Sequence, residues 1–201
     1  MSVRAVISAF MLCAACSGQS GSSPALLPSA FAGSGTATAD ASGAVDVELS
    51  HKTSGVYIDE DGLGFSYVLG LQGNAWAAYS ALGHWTPPPD LPAGGKIKFN
   101  GQYALGVLRK QSQGAPDVER YNGTFELLAN LDAQTLTGGN SDLFVDAGIS
   151  GSDFDGSVEF RGMSGALTGK LSSEYAQGAF QGQSDAALFA GGFKANRQEE
   201  E

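Results

Sequence analysis

Beyond Gly43 the chain alternates apolar and polar residues with a period of two, the spacing that sends successive side chains to opposite faces of a strand. Val45, Val47 and Leu49 show it first. Gly64 to Leu71 places Phe65, Tyr67, Leu69 and Leu71 on one side, and Lys96 to Leu105 does the same with Ile97, Phe99, Gly101, Tyr103 and Leu105. The pattern predicts further short strands over 75–83, 121–129, 142–149, 154–160, 166–171, 176–181 and 188–194. Their breaks hold turn formers, such as Gly73-Asn74, Gly138-Gly139-Asn140-Ser141 and Gly162-Met163-Ser164-Gly165. No stretch carries the apolar stripe of a helix. Short connections from Tyr121 onward predict consecutive antiparallel hairpins, and closing them removes exposed edges. The expected fold is all-β: an antiparallel up-and-down β-barrel of about eight strands over residues 44–196, with a two-sheet sandwich as the alternative. Gly70, Gly101, Gly106 and Gly192, inside otherwise apolar strands, fit the crowding of a small barrel.

The first residues follow a different pattern. Arg4 precedes the apolar run Ala5 to Leu12, the length of a signal-peptide core and far short of the roughly 20 residues of a membrane helix. Cys13-Ala14-Ala15-Cys16 follows, and two small residues before a cysteine resemble the bacterial lipobox. Residues 1–15 are read as a lipoprotein-type signal peptide and Cys16 as the lipidated residue. The alternative is ordinary signal-peptidase cleavage near Ala14 and Ala15, giving a periplasmic or secreted protein. Residues 16–43, rich in Ser, Gly, Ala and Thr, are too poor in apolar area to order themselves and read as a flexible tether. Residues 197–201 read as an acidic tail.

Composition narrows the function. The 201 residues hold 21 acids against 11 bases, a formal net charge of −10, which opposes a nucleic-acid surface and favours a monomer held apart by charge. Both cysteines fall at the cleavage region, so the folded part has no disulfide, cysteine nucleophile or cysteine metal site.

Longer motifs then become informative. The segment Thr86 to Gly101, TPPPDLPAGGKIKFNG, resembles part of the transferrin-binding protein B-like barrel domains, in which a proline loop leads into a glycine-started strand. The C-terminal run is similar in order: Gly123-Thr124-Phe125, Leu136-Thr137-Gly138, Gly148-Ile149-Ser150-Gly151, Leu167-Thr168-Gly169, Gly178 to Gly182 and Ala190 to Phe193. It differs at Asp185-Ala186-Ala187-Leu188, and it holds one barrel-sized lobe where the transferrin receptors have two lobes and handle domains. The resemblance spans about Val56 to Ala195. It implies a single small barrel on an outer-membrane, surface-facing lipoprotein of a Gram-negative cell, binding a protein or a small ligand such as haem.

Candidate chemistry is sparse. His51 and His84 are the only histidines, with no spacing that suggests a metal site. His84 stands near Trp76, Tyr79 and Trp85, aromatics that suit a flat ligand, and would be the axial residue if haem bound. Ser80 lacks a nucleophile-elbow context. The acidic turns Asp59-Glu60-Asp61-Gly62 and Asp153-Phe154-Asp155-Gly156 offer oxygen ligands that could hold calcium loosely, but neither fits an EF-hand loop and both read as turns. The expected interaction surface is therefore Trp76, Tyr79, His84 and Trp85 with Pro88 and Asp90 of the stiff proline loop. The function expected is non-enzymatic capture of a ligand, with no resident cofactor. Two other readings stand beside it: an integral eight-stranded outer-membrane barrel and a periplasmic enzyme.

Overall fold

A computed structural model describes residues 30–111 and 116–199. The expected signal peptide and Cys16 lie outside the described residues. Among those described there are twelve strands and no helix: β1 (Phe31–Thr36), β2 (Ser50–Ile58), β3 (Gly64–Gln72), β4 (Ala75–Leu82), β5 (Lys96–Arg109), β6 (Asp117–Asn130), β7 (Thr135–Gly139), β8 (Leu143–Ser150), β9 (Asp153–Phe160), β10 (Met163–Leu171), β11 (Tyr175–Gln183) and β12 (Ala187–Arg197). Strands β5 to β12 run up and down in sequence order and close where β12 pairs with β5. This is the expected antiparallel barrel.

Period-two alternation explains its core. On β5, Ile97, Phe99, Tyr103, Leu105 and Val107 turn inward, and β8 alternates buried Leu143, Val145, Ala147 and Ile149 with exposed residues. Eight aromatic side chains, from Phe99 to Phe193, meet inside. Several of them lie across the ladder from a glycine, among them Phe125 opposite Gly101, Phe154 opposite Gly169, Phe193 opposite Gly178 and Phe189 opposite Gly182. A Cβ at Gly178 would stand 2.5 Å from the Phe193 ring, so glycine is what lets each ring lie flat against its partner strand. The interior is therefore packed solid. An integral membrane barrel has the reverse polarity, with an apolar outer band and a polar lumen. Here the outer wall of β6, β8 and β9 exposes Glu126, Asp146, Asp155 and Glu159, which opposes that reading.

The barrel begins later than the sequence pattern indicates. Residues 31–82 form a separate four-stranded sheet, in the order β1-β4-β3-β2. Its Phe65, Tyr67, Leu69, Leu71 and Trp76 pack on Ala104, Leu108, Leu188 and Ala190, outward-facing residues of β5 and β12. Gly192 permits this approach, since a Cβ there would stand 2.4 Å from the Phe65 ring. Burial pushes the Tyr67 phenol up to about 12, so it enters this layer uncharged. Val45 to Leu49 make no strand, only an isolated bridge from Val45 to Ala39.

The tether expected over 16–43 is corrected from residue 30 onward. Gly33 to Thr36 run parallel to Ala77 to Ser80 of β4, and Asp40 Oδ1 accepts the backbone N–H groups of Ser42 (2.8 Å) and Ala44 (3.0 Å). Small side chains, which contribute little burial, let this main chain lie close against its neighbours. Two buried glutamines of β11 then fix the sheet to the barrel. Gln181 Oε1 accepts from Ser80 Oγ (2.7 Å) while its amide donates to Thr36 Oγ1 (3.1 Å), and Gln177 Oε1 accepts from Gly64 N (2.6 Å). The tail expected at 197–201 also starts later, because Arg197 still pairs with Phe99 in the ladder.

Candidate functional site

The loop from Thr86 to Gly95 crosses the end of the barrel where the β6–β7, β8–β9 and β10–β11 turns emerge. Its four prolines, Pro87, Pro88, Pro89 and Pro92, each fix φ near −65° and stiffen the loop. Its middle is pinned by Asp90, whose carboxylate accepts from Ser173 Oγ (2.5 Å) and Ser173 N (3.3 Å). Those donors, the hydroxyl foremost, hold the Asp90 carboxyl below the usual aspartate range. Its far end is held by Asp132 Oδ1, which accepts from Gly95 N (3.1 Å), and by Leu131 N donating to Gly95 O (2.9 Å). Between loop and turns lies a hollow of about 440 Å³ lined by Pro88, Leu91, Leu131 and Ile149. Pro88 and Asp90 are exposed.

Trp85 enters the loop as a buried anchor. Its ring meets Tyr175 edge-on at 6.3 Å and its backbone N–H donates to Gly62 O (3.0 Å). His84 beside it is exposed, with Nε2 3.1 Å from the Asp40 carbonyl oxygen. The other two expected residues lie elsewhere. Trp76, at the start of β4, is buried between sheet and barrel. Tyr79 points to the opposite face of β4 and donates its hydroxyl to Gln72 Oε1 (2.8 Å). Eight residues of extended chain separate Trp76 from His84, roughly 25 Å. The structure thus brings together His84, Trp85, Pro88 and Asp90 along one loop, and leaves Trp76 and Tyr79 outside it.

The opposite end of the barrel carries a cluster of polar side chains. Glu119 accepts from Tyr121 Oη and from Arg109 Nε (3.0 Å), and these two donors, the phenol first, hold its carboxyl below the usual range. Arg161 lies 4.5 Å from the Tyr121 ring centroid and pairs with Asp142 through two 3.1 Å contacts. With the interior filled by side chains, a ligand has to be engaged from outside. Ser80, the one serine near a nucleophile pattern, is fully buried and bonded to Gln181. Among the described residues no group of three or more His, Cys, Asp and Glu side chains is placed to hold a metal ion.

Sequence reasoning missed two exposed tyrosines. Tyr57 lies on β2, where Ser-His-Lys-Thr-Ser-Gly interrupts the apolar alternation that would have marked a strand. Tyr175 starts β11 beside Trp85, and its position became visible only once the loop was placed over the turn.

No family model matches the chain, and no curated protein matches it in sequence. Solved structures do share its fold. A surface lipoprotein superposes with a TM-score of 0.50 at 13% identity, over 75% of this chain and 82% of its own. Intact Ap-TbpB, with N and C lobes, gives 0.51 at 16% identity over 77% of this chain. A double mutant of transferrin-binding protein B from Haemophilus parasuis Hp5 gives 0.50 at 18% identity over 79%. This chain spans 38% of each of the latter two. The shared property is the fold: a barrel lobe of the transferrin-binding protein B type.

Proposed function

We infer that this chain is a non-enzymatic cell-envelope lipoprotein, anchored to the outer membrane through Cys16, whose barrel and sheet present the proline-loop end to a protein partner. The observation that carries the reading is the filled barrel closed by a pinned loop. It offers rigid, exposed contact area and no enclosed chamber for chemistry. Pro88 and the hollow beside Leu131 supply apolar contact, Asp90 and His84 a polar rim. The solved structures of like fold support the same class of work, since they include a surface lipoprotein and proteins named for binding transferrin. A protein fits better than a flat cofactor, because Trp76 and Tyr79 do not stand beside His84 to form a slot. Iron- and haem-carrying proteins are the first partners to test.

Two measurements test the reading. Full-length protein and Cys16→Ala are expressed in a Gram-negative host, labelled with palmitate and fractionated. Label and outer-membrane retention in the first, both lost in the second, are expected, whereas two soluble, unlabelled forms would remove the anchor. Immobilised full-length protein is then exposed to holo-transferrin and haemoglobin beside Pro88→Ala and Asp90→Ala. Binding that ignores both substitutions would move the partner site away from the loop.

A further inference from the structure

The seam between sheet and barrel carries a second surface, on the wall rather than the end. Tyr57 of β2 lies opposite Phe65 and stacks on it at 5.1 Å and 18°, and on Tyr67 at 6.3 Å and 16°. Phe65 and Tyr67 are buried while Tyr57 is 43% exposed, so Tyr57 is the outer ring of the stack. It borders a hollow of about 390 Å³ whose floor includes Gln102, Asn122 and Thr124. A second hollow, of about 740 Å³, shares Gln102 and Thr124 and continues to Asn100 and Asn196. The register makes this one surface. Asn196 lies opposite Asn100 on β5, Gln102 opposite Thr124 on β6, and Ala104 opposite Asn122, so all project from the same outer wall.

The composition of this trough is unusual for the chain. The sequence has six asparagines, and four of them line it. One, Asn140, is committed to the β7–β8 turn: its amide donates to Thr124 O (2.7 Å) and its carbonyl accepts from Leu143 N (2.8 Å). Asn100, Gln102, Asn122 and Asn196 are exposed, and their side chains carry no hydrogen bond to another described residue. Three charged side chains share the lining: Lys194 is matched with Asp59 (3.7 Å), Arg197 with Glu174 (3.5 Å), and Glu126 adds a negative charge. An extended, uncharged row of carboxamides ending at an exposed aromatic ring is therefore what a ligand meets.

We propose that this trough binds a neutral oligosaccharide, one pyranose ring lying on Tyr57 and its neighbours reaching across the carboxamides. Each carboxamide offers an acceptor and two donors, the complement of vicinal hydroxyls, and leaves no charge to desolvate. The apolar C–H face of a pyranose matches the flat tyrosine ring. An anionic chain finds no free cation here and meets a protein of net charge −10.

The test uses full-length protein in detergent, titrated calorimetrically with hexasaccharides of glucose, mannose and N-acetylglucosamine and with a polysialic chain. At least one neutral hexasaccharide binds; Tyr57→Ala and Asn122→Ala each weaken it about tenfold or more, the scale of one lost contact. Tyr57→Phe, which keeps the stack, stays within about threefold of the unsubstituted protein, since the ring face and not the hydroxyl carries the contact. Asp90→Ala, at the barrel end, leaves sugar binding unchanged, which separates this surface from the proline-loop site. Thermal unfolding confirms that each variant is folded. The proposal is overturned if no neutral hexasaccharide binds, if only the polysialic chain binds, or if folded Tyr57→Ala and Asn122→Ala bind as the unsubstituted protein does.

Discussion

Asp90 links the proline loop to the β10–β11 turn through an ionised carboxylate, and that gives the loop a pH dependence with a definite sign. Its pKa in the folded chain lies below the ordinary 3.8, chiefly because Ser173 Oγ donates to it. The contact is therefore fully present above 3.8 and is lost as pH falls through the lower, folded value. In an acid titration followed by NMR, the Ser173 amide should shift with a midpoint below 3.8 and stay flat in Asp90→Asn. A midpoint at or above 3.8 would show that the contact does not hold the loop in solution. At Gly178 the constraint is space. Gly178→Ala drives a methyl group into the Phe193 ring, and overpacking of this kind costs about 1–3 kcal/mol. Its thermal midpoint should fall by several degrees, at roughly 2–4 °C per kcal/mol for a chain this size.

At the scale of elements, the two glutamines of β11 decide how the sheet sits. In Gln181→Ala the fully buried Ser80 hydroxyl loses its acceptor and Thr36 its donor, a loss of about 1–3 kcal/mol. Hydrogen exchange should quicken in β1 and β4 and stay unchanged in β7 to β9; uniform quickening would mean that Gln181 supports the barrel instead. This joint also shows where the sequence was legible. Ile97 to Leu105 announced β5 because one face of the strand is buried and the other wet. In β3 both faces are buried, so Phe65 to Leu71 revealed a strand and not the layer it belongs to. Phe-Ala-Gly-Ser-Gly-Thr gave no strand signal, since β1 is held by main-chain pairing and by Gln181, a residue 145 positions from Thr36. The site divides in the same way. Pro88 and Asp90 stood out by local composition, whereas the row of Asn196, Asn100, Gln102 and Asn122 exists only after three strands are placed in register.

On the scale of the whole molecule, the barrel and sheet form one unit because each buries a face the other cannot. Ala104, Leu108, Leu188 and Ala190 project outward from the barrel, where a free-standing barrel would carry polar residues. The sheet has the matching need, since four strands with one apolar face require a partner layer for stability. A fragment of residues 96–199 retains every barrel strand and loses the cover over that patch. It should self-associate in light scattering and bind a hydrophobic dye, while the chain that includes the sheet does neither. Leu188→Ala in the full chain removes packing from the same contact and should cost about 2–5 kcal/mol, without the self-association that follows wholesale exposure. A monomeric, dye-silent fragment would show that the barrel folds independently. The sheet would then be an appended module, free to move relative to the wall, and the trough beside Tyr57 would lose the fixed geometry on which its ligand depends.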